Sequence, residues 1–237
     1  MTRLQTEWQR LFLSPGADTL NGPDGRVRAL VLEIAGPADW AALGRVWLAV
    51  QRELDLPEPA IAVSGSDGLQ LWFSLQDAVP VAQARHFLQG LAQRHLAELP
   101  HAARRLRLWP QADGQHTAPI PAECAAEQWS AFVAPDLAPV FADTPWLDIP
   151  PGPDGQADLL RRLVSIPPAA WAAALQALAA DPVASAPATA TPPEHGGPVP
   201  APGPLGPRQF LRQVLNDAQA PLALRIEAAK ALLPYDD

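Results

Sequence analysis

Residues 60–75 contain the feature that most constrains the fold, which is a pair of apolar runs separated by Ser-Gly-Ser-Asp-Gly at 64–68. A glycine and an Asp-Gly pair between apolar runs predict a β-hairpin, because these residues adopt the backbone conformations of tight turns. Side chains alternate between the two faces of a strand. The second strand therefore places three leucines and Phe73 on one face, which we expect to be core. Gln70 and Trp72 lie on the other face and suggest a binding groove.

The segments around this hairpin alternate between strand and helix patterns. Residues 26–34 are wholly apolar in the middle and predict a central strand. Apolar residues at helical spacing predict helices at 2–13, 38–54, 81–99, 156–163 and 168–180. This order predicts an α+β domain over residues 1–180, with helices packed on one face of a mixed sheet.

A short strand is also predicted at residues 102–111, with Arg105 and Arg107 on one face. Two interpretations of these arginines stay open, a solvated edge strand and a patch that faces phosphate groups. Glu33 is the carboxylate of an otherwise apolar strand. It lies either at a solvent-exposed strand end or at a site that needs its charge.

The composition and charge of the chain argue against several kinds of site and partner. The chain has 237 residues and a formal net charge of -8, which argues against broad electrostatic capture of nucleic acid. Its one cysteine, Cys124, allows no intrachain disulfide. Without CxxC or HxxxH spacing we expect no metal site. No apolar run has membrane-spanning length, so we expect a cytoplasmic protein with no membrane partner.

The C-terminal quarter of the chain, residues 181–237, has a different composition. Residues 181–207 are rich in proline and alanine and have almost no large apolar side chains, which predicts a disordered linker. Residues 208–237 regain apolar residues at helical spacing and predict a short helical hairpin. The sequence thus predicts a domain, a linker and a small helical unit.

The order of elements over residues 26–163 resembles the catalytic core of the archaeo-eukaryotic primase superfamily, which includes bacterial and mobile-element primase-polymerases. In that family a strand ends in two acids separated by one residue, a later strand carries a histidine after a small-residue turn, and a third strand carries an acid. The matching segments here are Val-Leu-Glu-Ile-Ala at 31–35, Ser-Gly-Ser-Asp-Gly-Leu-Gln-Leu-Trp-Phe at 64–73 and Leu-Arg-Leu-Trp-Pro-Gln at 106–111.

The resemblance also shows what this chain lacks. Members of the family transfer nucleotidyl groups with two divalent ions that carboxylates hold. Here Glu33 keeps the first acid, whereas Ala35, Gln70 and Arg107 replace the second acid, the histidine and the third acid. One carboxylate cannot hold two ions, and a guanidinium would repel them. The resemblance therefore implies that polymerase chemistry is lost and that no cofactor is bound.

A binding surface could survive this loss. Trp72 could stack on a base while the side chains around it hold a phosphate or a sugar. The candidate ligand-binding residues are Ser64, Gln70, Trp72, Arg105 and Arg107. Their expected partner is single-stranded nucleic acid or a nucleotide.

The C-terminal segment 208–235 resembles a part of phage terminase small subunits, in its Asn-Asp, its Arg-Ile-Glu-Ala-Ala-Lys run and its closing Pro-Tyr. This resemblance implies a phage or mobile-element context and a protein partner for that segment. Three hypotheses follow for the whole chain. It is an inactive primase-like protein that binds nucleic acid or nucleotide, a protein-interaction scaffold or terminase-associated adaptor, or an active nucleotidyltransferase that uses other ligands such as Asp67 or Asp113.

Overall fold

A computed structural model describes residues 1–22 and 24–180, so the predicted linker and helical hairpin lie outside the described residues. Within the described part, the α-helices are α1 (Arg3–Phe12), α2 (Trp40–Arg52), α3 (Val81–His95), α4 (Ala102–Arg105), α5 (Pro153–Arg161) and α6 (Pro168–Ala180), and a 3-10 helix spans Ala138–Phe141. The strands are β1 (Arg26–Ala35), β2 (Ala60–Val63), β3 (Gly68–Pro80), β4 (Leu106–Trp109), β5 (Glu123–Ala125), β6 (Gln128–Trp129) and β7 (Ala131–Val133). The predicted α+β class is confirmed.

Five strands form one sheet in the order β4-β1-β3-β2-β7, and every neighbouring pair is antiparallel. The predicted hairpin joins β2 to β3, and Gly65 in its turn has φ +79°, a conformation that favours glycine. The expectation of a mixed sheet was wrong. Strands β1 and β2 run in the same direction, but they are not neighbours. Strand β3 lies between them and pairs antiparallel with each.

Helices cover both faces of the sheet rather than one, which corrects the predicted arrangement. On one face α2, α3 and α6 bury Leu43, Phe87 and Trp171 against the leucines of β1 and β3. On the other face α1 and α5 bury Phe12 and Leu160 in a second apolar cluster. Both faces of the central strands are therefore removed from water, which is why β1 is apolar throughout its middle.

Helix α1 is well specified although it is short. Thr2 and Gln5 form a reciprocal capping box, in which the Thr2 hydroxyl accepts from the Gln5 amide at 3.2 Å and the Gln5 side chain accepts from the Thr2 amide at 2.8 Å. Leu11 and Phe12 are fully buried at the end of the helix. The cap and the buried end together hold α1 over the sheet.

Residues 102–111 do not form one strand as predicted. Ala102–Arg105 is a helical turn that follows His101, and the strand itself covers Leu106–Trp109. Alanine favours helix over strand, so the two alanines explain the early turn. Arg105 therefore ends a helix whereas Arg107 belongs to a strand. No helix in the described part of the chain is long and apolar enough to cross a membrane.

Candidate functional site

Three residues that the sequence pattern singled out lie side by side on adjacent strands. Glu33 of β1 is directly opposite Arg107 of β4 and directly opposite Gln70 of β3. All three project from the sheet face that α1 covers, because they share their face with Val31 and Trp72. The structure thus brings together the positions that the primase resemblance aligned.

These side chains are joined by one continuous set of hydrogen bonds, which we name the polar row and define as Asp67, Arg107, Glu33, Gln70 and Trp72. Glu33 accepts from Arg107 Nη1 at 2.8 Å and from Gln70 Nε2 at 2.7 Å. The side-chain carbonyl oxygen of Gln70, Oε1, accepts a hydrogen bond from Trp72 Nε1 at 2.8 Å. Arg107 also donates two bonds to Asp67, at 2.8 and 3.0 Å. Each member of the row is therefore bonded to another member.

Burial sets the electrostatics of the row. Glu33 is only 2 % exposed, and this burial raises the pKa of its carboxyl, while the hydrogen bond from Gln70 and the charge of Arg107 oppose the rise. Hydrogen bonding to Asp67 raises the pKa of Arg107, with a further contribution from Glu33. The two carboxylates neutralise one guanidinium, which leaves Arg107 without spare charge for a phosphate.

Trp72 does not line an open groove, contrary to the expectation of a stacking platform. It is 1 % exposed and lies beneath α1. Its ring makes edge contacts with Trp8, Phe12 and Phe132 at centroid distances of 5.4, 5.3 and 5.8 Å. Such packing is typical of an aromatic core, and a base cannot stack on this ring unless α1 moves.

The remaining candidate ligand-binding residues are also engaged in internal contacts. Arg105 donates to the carbonyls of Ala35 and Pro37 at 3.4 and 2.8 Å and forms an ion pair with Asp39 at 3.6 Å. The Ser64 hydroxyl accepts from the amides of Ser66 and Gly68 within the hairpin turn. Arg105 thus ties α4 to the end of β1, and Ser64 shapes the turn. Ser64, Gln70, Trp72, Arg105 and Arg107 do not form one exposed surface.

Gly68 has a steric role that its place in a turn did not reveal. A Cβ atom at this position would lie 2.5 Å from Glu33 Oε1 and 2.8 Å from Glu33 Cγ. Glycine therefore leaves the space in which the Glu33 side chain reaches Arg107 and Gln70. The same turn supplies Asp67, so the hairpin both admits Glu33 and adds the outer carboxylate of the polar row.

His116 is a further buried residue beside the polar row. Its Nδ1 accepts from the Thr117 amide at 2.9 Å, so its Nε2 carries the proton and donates to the Ala29 carbonyl at 3.1 Å. The ring lies 6.5 Å from that of Trp72. Burial lowers the pKa of His116 from 6.5 to about 4. No local sequence signal marks this contact, which joins residues far apart in the chain.

We expect His116 to make the domain less stable in mild acid. Its folded-state pKa lies below its unfolded value, so the unfolded chain binds the proton more tightly and the free energy of unfolding falls as pH drops from about 6.5 towards 4. The loss is about 2 kcal/mol at pH 5 relative to neutral pH. Chemical denaturation of the wild type and of His116→Gln across this range measures it. The exposed His86, changed to Gln, is the control. Equal pH profiles for wild type and His116→Gln would contradict the assignment.

The two acids named as alternative metal ligands, Asp67 and Asp113, make separate contacts. Asp67 is bound to Arg107, whereas Asp113 accepts from the Gln115 amide in its own turn. No group of three or more His, Cys, Asp or Glu side chains suited to a metal ion occurs in residues 1–22 and 24–180. In comparisons with known proteins, the chain matches no protein-family model and no curated protein.

Proposed function

We propose that residues 1–180 form a catalytically inactive, primase-like domain that serves as a protein-interaction scaffold. The observation that carries the proposal is the closed polar row, in which the only acid left of the aligned set is bound to a guanidinium at 2.8 Å. The primase relationship itself rests on the sequence resemblance and the order of elements. A cytoplasmic location belongs to the same proposal, since Cys124 has no second cysteine with which to pair.

Nucleotidyl transfer requires groups that this row does not supply. A two-metal mechanism needs several carboxylates around a pair of cations that clamp the attacking and leaving oxygens. Here the neighbours of Glu33 are an amide and a guanidinium, and the guanidinium occupies the place where a cation would bind the carboxylate. Ala35 at the second acid position adds no ligand. The chemistry of the side chains therefore favours loss of the reaction.

Nucleotide binding in the predicted groove also has little support. A base needs an open aromatic face, and Trp72 is covered by α1. A phosphate needs an available cation, and Arg105 and Arg107 already donate hydrogen bonds to carbonyls and carboxylates. Between the two binding hypotheses, the geometry favours contact with protein through the outer surface of the domain. Nothing in the described residues bears on the terminase-like segment, which stays a prediction.

We expect purified full-length protein to add no nucleotide to a primed template with Mg²⁺ or Mn²⁺. The reason is that the polar row offers one neutralised carboxylate where the reaction needs several. Radiolabel incorporation measures this directly, and Glu33→Gln prepared in the same way reports any contaminating polymerase. Incorporation by the wild type that disappears in a folded Glu33→Gln variant would overturn the proposal.

A further inference from the structure

The two edges of the five-stranded sheet differ in whether their outward backbone groups are hydrogen-bonded. At the β7 edge the side chain of Gln156 imitates a neighbouring strand. Its carbonyl accepts from the Phe132 amide at 2.8 Å and its amino group donates to the Phe132 carbonyl at 2.9 Å. Gln156 is itself buried. This edge is therefore closed to additional strands.

The opposite edge is closed only in part. Where β1 extends past the end of β4, the outward-facing carbonyl of Ala29 accepts a hydrogen bond from His116. Further along, β4 itself becomes the edge strand, and it is paired with residues 31–34 of β1.

The direction of each backbone group of β4 follows from the ladder. Outward and inward groups alternate along an antiparallel strand. Because the Ala29 carbonyl points away from β3, the groups of Val31 and Glu33 point towards β4 and pair with Trp109 and Arg107. The groups of Leu106 and Leu108 consequently point outward.

Three outward groups of β4 have no partner among the described residues. The Leu106 amide is satisfied by the Ala102 carbonyl at the end of α4. The Leu106 carbonyl and both backbone groups of Leu108 make no hydrogen bond with residues 1–22 and 24–180. Buried edges of this kind are normally paired or covered, and exposed ones are available to an added strand.

One arginine near this edge is available to a partner. Arg105 is paired with Asp39, and Arg107 is paired with Glu33 and Asp67, whereas Arg104 has no such counter-charge among the described residues. Arg104 is exposed and its side chain makes no hydrogen bond or ion pair with the described residues. A second copy of β4 would bring no counter-charge to Arg104, because no acidic residue occurs between Glu98 and Asp113. A strand that carries an acid near Arg104 is the complementary occupant.

We propose that the open edge of β4 binds, by β-strand addition, an extended segment of a partner protein that carries an acid beside Arg104. The inference rests on the proposed function, since it names the partner class of the scaffold. An antiparallel strand would place an apolar residue opposite Leu108 and Leu106 and a neutral polar residue opposite Arg107, which Glu33 and Asp67 already neutralise. An acid two residues further along the strand would reach Arg104. The pattern that fits is aromatic, apolar, neutral polar, apolar, acid, with the aromatic residue beside Trp109.

The test uses a fluorescein-labelled peptide that contains Tyr-Val-Thr-Val-Asp, titrated into the full-length chain. A second peptide carries an N-methyl group on the first valine, whose amide would donate to Leu108. We expect the methylated peptide to bind about tenfold more weakly, because it loses a backbone hydrogen bond and adds bulk at the edge. Hydrogen exchange should show a slowed Leu108 amide only with the unmethylated peptide.

Protein variants test the charge requirement. Arg104→Glu should weaken binding of the peptide about fivefold. Arg45→Glu, the same change at an exposed arginine of α2 with no partner among the described residues, should leave binding unchanged. Absence of binding by the peptide, equal binding of both peptides, or an unprotected Leu108 amide in the complex would overturn the inference. So would an Arg104-dependent preference for an oligothymidine, or dimerisation through β4 in sedimentation experiments. These results leave the proposed loss of catalysis standing, because only Glu33-dependent nucleotide incorporation contradicts that loss.

Discussion

Trp72→Ala is expected to lower the free energy of unfolding by about 3–5 kcal/mol, which is the usual cost of removing a large buried aromatic side chain. The change leaves a cavity among Trp8, Phe12 and Phe132. It also removes the indole N–H that donates to the side-chain oxygen of Gln70. Equilibrium chemical denaturation measures the loss. Trp72→Phe should recover part of it, because a ring remains in the cluster.

Trp146→Ala provides a matched control for this experiment. That tryptophan is half-buried and its indole donates to the exposed Asp148 at 3.1 Å. We expect Trp146→Ala to lower the free energy of unfolding by clearly less, about 1 kcal/mol, since much of the Trp146 side chain is already in water. If Trp72→Ala were as mild as the control and abolished binding of single-stranded DNA, Trp72 would belong to a ligand surface and the buried assignment would be wrong.

Arg107→Met is expected to destabilise the domain by about 3 kcal/mol at pH 8, because it leaves the Glu33 carboxylate buried without its counter-charge. Arg107 is 42 % exposed in its side chain, so the expected loss lies at the low end for a broken buried pair. Arg45→Met should have little effect, since Arg45 is exposed on α2 and has no partner in the part of the chain that the structure describes.

The pH dependence of the stability loss in Arg107→Met tests whether the buried charge of Glu33 causes that loss. Burial already raises the pKa of Glu33, and Arg107 opposes that rise, so removing Arg107 raises the pKa further. The folded state then holds a proton that the unfolded state releases, and the loss relative to wild type shrinks as pH falls through the raised pKa. Glu33→Gln combined with Arg107→Met should be more stable than Arg107→Met alone. A loss that stays the same from pH 8 to pH 5 would contradict a buried Glu33 charge.

Local turn chemistry and apolar periodicity carried most of the prediction of the fold. The hairpin at 64–68, strand β1 and the long helices follow from patterns within short stretches of chain. The antiparallel character of the sheet did not follow from them, because it depends on β3 inserting between β1 and β2. Strand order is a long-range property, and alternation within one strand carries no information about it.

The sequence did not predict the burial of Trp72, for a related reason. Alternation assigned Gln70 and Trp72 to one face correctly, but it could not show that α1, some sixty residues earlier in the chain, covers that face. The family resemblance matched Glu33, Gln70 and Arg107 to positions of the family's site, and the strand register places the three residues side by side. Their mutual hydrogen bonds depend on rotamers and on the small volume of Gly68, which no sequence pattern reports.

The indole N–H of Trp72 gives the most direct test of a closed polar row. Its NMR resonance can be assigned by comparison with Trp72→Phe and followed in isotope-labelled full-length protein. We predict slow exchange with solvent deuterium, because the proton is bonded to Gln70 beneath α1. We also predict no shift when Mg²⁺ with a deoxynucleoside triphosphate, or an oligothymidine, is added. Rapid exchange, or a saturable shift with either ligand, would show that the row opens to bind it and would contradict this account.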